Sequence, residues 1–278
     1  MERYNKTSFQ VSKLVTKSYS TSFSIATRLF EKEMRESIYS IYGFVRFADE
    51  IVDTFHEYDK KYLLDKFESD YYDAVKHGIS LNPILQSFQQ VVKKHSIPDE
   101  HVQAFLTSMK YDLVKKQYKD KTETDKYIYG SADVVGLMCL KVFCSGDDKL
   151  YEQLEESAMK LGSAFQKVNF LRDLKYDIEI LDRTYFPDIQ QNRLEEKNKL
   201  IVINDIENDF NTAFVGIKKL PKRSKLAVLI AYYYYKSLLK KIKHIPSNGI
   251  LESRIRIPNG IKMLLLLKAM FIYKFRLI

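Results

Sequence analysis

Glycine and proline are scarce in this chain, and cysteine is nearly absent. The 278 residues include nine glycines and six prolines, so turn signals are few and the segments between them are long. Long unbroken segments favour helices over many short strands. The two cysteines, Cys139 and Cys144, are too few for a disulfide scaffold, and we recognise no signal peptide. Both observations favour a reducing, cytoplasmic location.

The chain also lacks the patterns that identify nucleic-acid-binding proteins. Its net charge is +9, which suits nucleic acid, an anionic membrane surface or an anionic small substrate. No basic run, zinc-ligand pattern or RNA-binding signature accompanies that charge, so we expect no nucleic-acid partner. Anionic substrates and membrane surfaces remain as partners.

The apolar segment at the C-terminal end of the sequence is not long enough to predict a membrane span. The C-terminal sequence IKMLLLLKAMFIYKFRLI is very apolar, but Lys262, Lys268, Lys274 and Arg276 interrupt it well short of the roughly 20 residues that a spanning helix needs. Two interpretations are open: a last core helix with exposed lysines, or a helix that lies on a membrane surface. We favour the core helix, because the lysines do not gather on one face of a helical wheel.

Helical periodicity extends along almost the whole chain. Breaks fall at HGISLNP and HSIPDE, where Gly78 ends one helix and Pro83 and Pro98 begin the next ones. No linker, repeat or low-complexity tract divides the pattern, so we predict one all-α domain over residues 1–278. The predicted helices cover residues 7–18, 31–55, 60–77, 83–95, 98–117, 121–144, 147–180, 200–219, 221–244 and 258–276.

Three pairs of aspartates are spaced four residues apart: Asp49/Asp53, Asp173/Asp177 and Asp205/Asp209. This spacing puts both carboxylates of a pair on one helix face, roughly 6 Å apart. Such carboxylates repel each other unless a cation lies between them, and hard oxygen ligands suit Mg²⁺, which also binds substrate phosphates. Chance alone gives about one such pair in a chain of this composition, so the spacing by itself is weak evidence.

The residues that surround the first two pairs make these pairs candidates for a metal–diphosphate site. Arg46 precedes the first pair in the apolar setting GFVRFADEIVDTF, and Arg172 precedes the second in GSAFQKVNFLRDLKYD. One helix face carries Gln166, Asn169, Asp173 and Asp177 in succession. A polar stripe of this kind needs partners when it is buried. Two stripes facing each other across a cavity would hold metal ions between them.

The third pair, in INDIENDFNTAF, has no arginine or glutamine nearby. We expect Asp205 and Asp209 to form a solvated acidic face.

Several motifs together resemble the squalene/phytoene synthases, the head-to-head condensing branch of the trans-prenyl diphosphate synthases. The motifs are YSTSF, YGFVRFADEIVD, YIYGSADVVGLMC, QKVNFLRDLKYD, DRTYFP and RIRIPNGIKMLLLLKAM. Any one of them is a weak signal, whereas the set covers most of the chain and is highly specific. The chain departs from the family pattern at Tyr176, where an acid is common, and we expect this side chain to face away from the aspartates.

The resemblance implies an isoprenoid-synthase-type helical bundle around a central cavity, and it implies roles for individual residues. Asp49, Asp53, Asp173 and Asp177 would bind Mg²⁺, or Mn²⁺ in its place, and through it the diphosphates. Arg46 and Arg172 would contact diphosphate oxygens, with Ser20 and Ser22 near one of them. Gln166 and Asn169 would line the reaction centre, and Tyr42, Tyr129, Arg183 and Tyr185 would line or close the cavity. Tyr235 and Arg256 match, more loosely, late family positions that reach the site.

The implied reaction joins two prenyl diphosphates through a cyclopropyl diphosphate. The RIRIP ending resembles bacterial phytoene synthases, which favours geranylgeranyl diphosphate as substrate and phytoene, the first product of carotenoid synthesis, made without NADPH. The alternatives are squalene, dehydrosqualene or presqualene diphosphate from farnesyl diphosphate, and, in another class, a non-catalytic helical protein that binds a partner. Peripheral membrane contact is a further hypothesis, and the sequence gives no prediction of oligomeric state.

Overall fold

The computed structural model describes residues 1–187, 194–252 and 254–275, apart from the side chain of Ser22. Within those ranges the only strand-like pairing is one isolated parallel bridge between Gln117 and Thr184, so the prediction of an all-α fold is confirmed. The helices are α1 (Glu2–Tyr19), α2 (Thr21–Thr27), α3 (Lys32–Asp53), α4 (Lys60–His77), α5 (Pro83–His95), α6 (Asp99–Val114), α7 (Lys121–Ile128), α8 (Val134–Cys144), α9 (Asp148–Glu179), α10 (Glu196–Lys219), α11 (Lys222–His244), α12 (Ser247–Ile250) and α13 (Asn259–Lys274), with a π-helical turn, Tyr129–Asp133, between α7 and α8.

Local capping explains why many helix ends fall where the sequence predicts them. The Asp59 carboxylate accepts a hydrogen bond from the Tyr62 amide at the start of α4, and Gly78 ends that helix with a left-handed φ of 71°. Asn82 caps α5, and Pro83 occupies its first turn. A side-chain acceptor before the helix and a glycine after it satisfy backbone groups that have no partner inside the helix.

The predicted helix list misses α2 and α12 and begins α1 and α10 too late. Ser20 stops α1 because its backbone is extended, and its hydroxyl then accepts a hydrogen bond from the Phe23 amide at 3.2 Å to start α2. Both effects are local and use a serine, a residue suited to such caps. The predicted end of the last helix at Arg276 lies outside the described residues.

An aromatic cluster joins α3 to the helices that follow it. The Phe44 ring stacks on Phe88 of α5 with centroids 3.9 Å apart, and it also contacts the rings of Phe67, Tyr71 and Phe105. All five side chains are buried. Aromatic burial of this extent contributes several kcal/mol to folding, and it fixes the orientation of α3 relative to α4, α5 and α6.

The long helix α9 lies between α8 and α10 and packs on the α8 side at close backbone range. A Cβ atom added to Gly162 would lie 2.7 Å from the Ala132 carbonyl oxygen, and one added to Gly136 would lie 2.9 Å from that of Ala158. Only glycine permits this approach. These contacts place the π-helical turn and α8 directly against α9.

One continuous helical stretch, Lys121–Cys144, is long and apolar enough by composition to cross a membrane, with a mean hydropathy of 1.4. No other helix in the described ranges is long and apolar enough to meet the same criteria. Since 56% of its most apolar window is buried inside the fold, the stretch has the character of a core helix.

The expectation of a solvated acidic face on α10 is wrong. The Lys167 ammonium of α9 forms ion pairs with both Asp205 and Asp209, and Lys160 lies 3.2 Å from Asp209. Asp209 and Lys167 are buried. The lysines that neutralise the pair come from another helix, so no neighbour in the sequence reveals them.

The interpretation of the last helix as a core helix is also wrong. Ala269 is the one buried residue among those of α13, while large apolar side chains such as Leu264 and Phe271 are exposed.

Candidate active site

The helices α3 and α9 line one cavity of about 580 Å³, and the lining of each changes from apolar to polar along its length. In α9 the cavity-facing residues are apolar or small from Leu154 to Phe165 and polar or charged from Gln166 to Asp177 for the most part. In α3 the change occurs between Ile41 and Arg46. The α9 segment rises about 35 Å, so we distinguish an apolar end and a polar end of the cavity.

Most of the side chains that the sequence predicts for the site line this cavity. They are Ser20, Tyr42, Arg46, Asp49, Asp53, Gln166, Asn169, Arg172, Asp173, Asp177, Arg183, Tyr185 and Tyr235. The side chain of Ser22 lies outside the described part of the chain. Tyr176 is half exposed, in agreement with the expected orientation away from the aspartates.

The first aspartate pair combines one carboxylate that has a counter-ion with one that has none. Asp53 accepts a hydrogen bond from Arg183 at 2.9 Å. Asp49 forms no ion pair with any described residue. Burial, together with the charge of Asp53, raises the pKa of Asp49 to about 7, although Arg46 opposes the shift. This end of α3 therefore carries more negative charge than the protein itself neutralises.

The second pair repeats this arrangement on α9. Asp173 accepts a hydrogen bond from Arg172 Nε at 3.0 Å and lies 2.7 Å from Arg254 Nε. Asp177 has no ion-pair partner in the described ranges. Burial raises the pKa of Asp177 to about 8, with the charges of Asp173 and Asp53 adding to the shift.

The two pairs share one region of the cavity, since all four aspartates line it and the charge of Asp53 adds to the raised pKa of Asp177. Arg183 lies there as well, because its guanidinium contacts Asp53 and donates to the Asp112 carbonyl oxygen at 2.9 Å. The loop that carries Arg183 is fixed by the bridge at Thr184, whose amide donates to the Lys116 carbonyl at 2.9 Å. The Tyr185 ring stacks on Phe170 of α9 at 4.0 Å.

Arg46 lines the polar end and is partly exposed. It forms an ion pair with Glu50, one turn along α3, and its guanidinium lies 4.4 Å from the centre of the Tyr19 ring. Tyr42 stacks on Phe23 with centroids 4.9 Å apart. Burial raises the pKa of Tyr42 to about 12, so its hydroxyl stays protonated and able to donate near neutral pH.

Asn169 and Tyr235 meet between the two ends of the cavity. The Tyr235 ring stacks on Phe165 at 3.9 Å, and burial raises the pKa of Tyr235 against the opposing effects of Arg172 and Asn169. Asn169 Oδ1 is buried and has no hydrogen-bond partner among the described residues. An unsatisfied buried amide oxygen in a cavity wall is an acceptor available to a ligand or a water molecule.

Two predicted site residues do not reach the cavity. Tyr129 begins the π-helical turn and is 41% exposed; Tyr127, two positions earlier, lines the cavity instead. Two residues correspond to about 200° of helical rotation, so these side chains point in opposite directions. Arg256 is exposed and does not line the cavity, whereas Arg254, which is also exposed, reaches Asp173.

Asp112 is a site residue that the sequence analysis misses. It lines the cavity, accepts a hydrogen bond from Tyr127 Oη at 2.6 Å and lies 3.7 Å from Arg183. Burial raises its pKa to about 7 against the opposing effects of Arg183 and Tyr127. A signal exists in the sequence, since Asp112 follows buried Phe105 and Met109 on the apolar face of α6, where a carboxylate needs partners.

The acidic residues of the polar end fit a divalent cation whose coordination is completed by another molecule. In the ranges described, no group of three or more His, Cys, Asp or Glu side chains is arranged to hold a metal ion alone. Asp49 and Asp177 lack counter-ions and have raised pKa values. Mg²⁺ commonly takes only one or two carboxylates and completes its shell with water and substrate phosphates. The donors present suit this manner of binding.

Comparisons with known proteins agree with the fold and the motifs. Residues 16–193 match the family model of the squalene/phytoene synthases. The chain is 26% identical over 243 residues to phytoene synthase 1, chloroplastic, from Solanum lycopersicum, covering 81% of this chain and 58% of that protein. It is 25% identical over 248 residues to phytoene synthase from Pseudescherichia vulneris, covering 81% and 79% of the two chains.

Solved structures show the same fold over nearly the whole chain. A dehydrosqualene synthase in complex with a ligand superposes with a TM-score of 0.85 at 21% identity and covers 98% of both chains. Squalene synthase HpnC from Alicyclobacillus acidocaldarius gives a TM-score of 0.75 at 20% identity over 86% of this chain and 94% of that one. The expected isoprenoid-synthase-type bundle is confirmed. The chain belongs to the squalene/phytoene synthase family of prenyltransferases, which condense prenyl diphosphates head to head and generally depend on divalent metal ions.

Proposed function

We propose that the protein joins two molecules of geranylgeranyl diphosphate head to head to form phytoene, with Mg²⁺ bound at the polar end of the cavity. One observation supports the proposal most directly. A single cavity contains two aspartate pairs with arginines at one end and an apolar lining at the other. The first arrangement suits a metal-bound diphosphate, and the second suits an isoprenoid chain.

Asp49, Asp53, Asp173 and Asp177 would hold the metal. Bound Mg²⁺ supplies positive charge that polarises the diphosphate as a leaving group. Asp53 and Asp173 are held in position by Arg183 and Arg172, while Asp49 and Asp177 provide the charge that the protein leaves unneutralised.

The arginines stabilise the departing diphosphate. Breaking the allylic carbon–oxygen bond places additional negative charge on the diphosphate oxygens, and Arg46 and Arg172 line the cavity near the aspartates. Guanidinium groups fit phosphate oxygens with two parallel hydrogen bonds. Because these donors are already oriented by Glu50 and Asp173, little reorganisation is required as the charge develops.

The apolar end keeps the carbocation away from water. Its walls come from α3, α8, α9 and α11 and include Val135, Leu140, Leu161 and Phe165. An allylic cation that met water would be trapped as an alcohol, so the exclusion of water favours carbon–carbon bond formation. Gln166 and Asn169 lie where the polar and apolar linings meet, a position suited to contact with the reacting carbons.

We propose phytoene and not squalene as the product because of the proteins that the chain resembles in sequence. Phytoene synthases of plants and bacteria align with about four-fifths of the chain, and the RIRIP segment resembles their closing segment. A pathway that ends in proton loss to phytoene needs two geranylgeranyl diphosphates and no NADPH. Squalene, dehydrosqualene and presqualene diphosphate, each from farnesyl diphosphate, are the alternative products.

The test is a parallel incubation of the full chain with geranylgeranyl or farnesyl diphosphate, with Mg²⁺ or with chelator, and with or without NADPH. We expect phytoene from geranylgeranyl diphosphate with Mg²⁺ alone, identified by extraction and mass spectrometry. A C30 product from farnesyl diphosphate as the main outcome would overturn the chain-length assignment. Absence of any hydrocarbon, combined with Mg²⁺-dependent binding of a non-hydrolysable prenyl diphosphate, would indicate a binding protein without catalysis.

A further inference from the structure

The outward face of α13 is mostly apolar, with Lys268 and Lys274 as its exposed basic residues, which reverses the usual pattern of a surface helix. We define the outer stripe as Met263, Leu264, Leu267, Met270, Phe271 and Phe275, whose spacing puts them on one side of the helix. Every member is exposed, including Leu264 at 65% and Phe275 at 58%. The opposite side of α13 packs on α11 and contributes Lys262, Leu265 and Leu266 to the cavity lining.

The positive charge of the protein is concentrated in the same part of the chain. Residues 210–278 contain 15 of the 45 lysines and arginines but only one of the 36 acidic residues, Glu252. The preceding residues carry a net negative charge. Such asymmetry indicates an electrostatic partner for the basic part.

Some of this charge lies beside the outer stripe. We define the basic corner as Lys218, Lys219, Lys222 and Arg223, exposed residues at the turn from α10 to α11. Tyr273 Oη of α13 donates a hydrogen bond to the Lys222 carbonyl at 3.1 Å, so the C-terminal end of α13 adjoins the corner. No member of the corner forms an ion pair with a residue that the structure describes.

We propose that the outer stripe and the basic corner form one docking surface for an anionic lipid bilayer. Apolar side chains of an interfacial helix insert into the boundary between headgroups and acyl chains, and adjacent lysines and arginines bind lipid phosphates. A second copy of this chain fits the surface less well, because its own residues 210–278 would bring a single acidic residue to the basic corner. A bilayer rich in anionic lipid supplies the counter-charge.

The docking has a consequence that rests on the proposed function. The inner side of α13 lines the cavity, so the bilayer would lie one helix away from the hydrocarbon product. A product this apolar gains free energy by entering lipid instead of water. The docking itself does not depend on the identity of the product.

The chain contains no tryptophan, so a single introduced indole reports on its own surroundings. In the full chain, Phe271→Trp should shift its emission to shorter wavelength with vesicles of equal phosphatidylglycerol and phosphatidylcholine, and brominated lipid should quench it. The matched control is Leu81→Trp, at a residue that is 94% exposed before α5, and its emission should not change.

Vesicle co-sedimentation separates the apolar and basic contributions. We expect Leu264→Ser/Phe271→Ser to reduce the partition coefficient about 30-fold, and Lys219→Gln/Lys222→Gln/Arg223→Gln to reduce it about 100-fold at low salt. Lys61→Gln/Lys66→Gln, on α4, is the control that should bind like the unaltered protein. Circular dichroism of each variant verifies that the helices are retained.

Three outcomes would overturn the proposal. They are failure of the unaltered protein to bind the anionic vesicles, equal binding by the stripe variant, and a dimer in light scattering that becomes a monomer in Leu264→Ser/Phe271→Ser. The last result would assign the surface to a second copy. Vesicle binding is measured without substrate, so its failure is distinguishable from failure of the proposed function.

Discussion

The aspartate pairs Asp173/Asp177 on α9 and Asp205/Asp209 on α10 have the same spacing and opposite surroundings. Asp209 is neutralised by Lys167 and Lys160, and Asp205 also pairs with Lys167. Although burial opposes ionisation of Asp205, the hydrogen bond and charge of Lys167 hold its pKa below the ordinary value. At Asp177, burial and neighbouring acids raise the pKa to about 8.

The difference teaches that spacing identifies a pair of carboxylates but not its purpose. A pair whose charge is matched by lysines from a neighbouring helix joins two helices. A pair left with excess negative charge in a cavity costs stability, and such a cost is typical of functional sites. The comparison can be tested by treating the two pairs identically.

The largest expected difference concerns activity. Asp173→Asn should lower kcat/KM for prenyl condensation by about 1,000-fold or more, because a neutral amide weakens both metal binding and the orientation of Arg172. Asp205→Asn, the matched change on α10, should retain activity within about threefold. Product formation at saturating Mg²⁺ measures both, and comparable losses would remove the functional distinction between the pairs.

The next largest effect is on protein stability and concerns the Asp205/Asp209 pair of α10. Asp209→Ala should lower the free energy of unfolding by about 3–4 kcal/mol, because it leaves buried Lys167 with one partly exposed counter-ion. Urea denaturation followed by circular dichroism provides the measurement. Asp205→Asn should cost about 1 kcal/mol or less, since Asp209 still pairs with Lys167. If Asp209→Ala were as stable as the parent, the buried ion cluster would have no structural role.

Removal of the charge at Asp177 should raise the free energy of unfolding, whereas Asp209→Ala should lower it. Its pKa is about 8 in the folded protein and 3.8 in the reference state, so the folded state binds the proton more tightly. The stability contributed by the protonated form is complete below pH 3.8 and is lost as the pH rises to about 8. At pH 8 without metal, Asp177→Asn should therefore raise the free energy of unfolding by on the order of 1–3 kcal/mol.

Thermal unfolding of the metal-free protein between pH 5 and pH 9 checks this expectation. The parent should lose more stability than Asp177→Asn across that interval, and added Mg²⁺ should restore stability to the parent alone. A variant less stable than the parent at pH 8 would contradict the conclusion that Asp177 carries uncompensated charge.

The smallest effect concerns the two arginines of RIRIP. Arg254→Gln should raise KM about tenfold, because Arg254 helps to hold Asp173 from an exposed position. Arg256→Gln should leave KM unchanged, since its side chain is exposed and does not line the cavity. Initial-rate kinetics on both variants would decide between them, and the reverse result would assign the site to Arg256.

The helices were largely predictable because their signals are local. Asp59, Gly78, Asn82 and Pro83 act on backbone groups a few residues away, and such effects depend little on the rest of the fold. The short helix α2 escapes periodicity analysis because seven residues make only two turns, although its cap Ser20 is visible in the sequence.

The partners of the charged residues were less predictable because they come from distant parts of the chain. Lys167 and Asp209 are 42 positions apart, and Arg183 and Asp53 are 130 apart. The selection of Tyr129 over Tyr127 has a different cause. The sequence contains both tyrosines, and only the local helical phase determines which one faces the cavity.

The arginine–aspartate pairs of the cavity also bear on how the binding of one ligand affects the binding of another. In the free protein, Arg172 and Arg183 already have carboxylate partners. Under the proposed function, an incoming diphosphate would compete with Asp173 and Asp53 for these arginines, and an incoming cation would compete with the arginines for the carboxylates. A cation that takes a carboxylate frees its arginine for the diphosphate, and the reverse is equally true. Thermodynamic linkage would then require each ligand to increase the affinity of the other by the same factor, so the proposed function predicts that metal and substrate bind cooperatively.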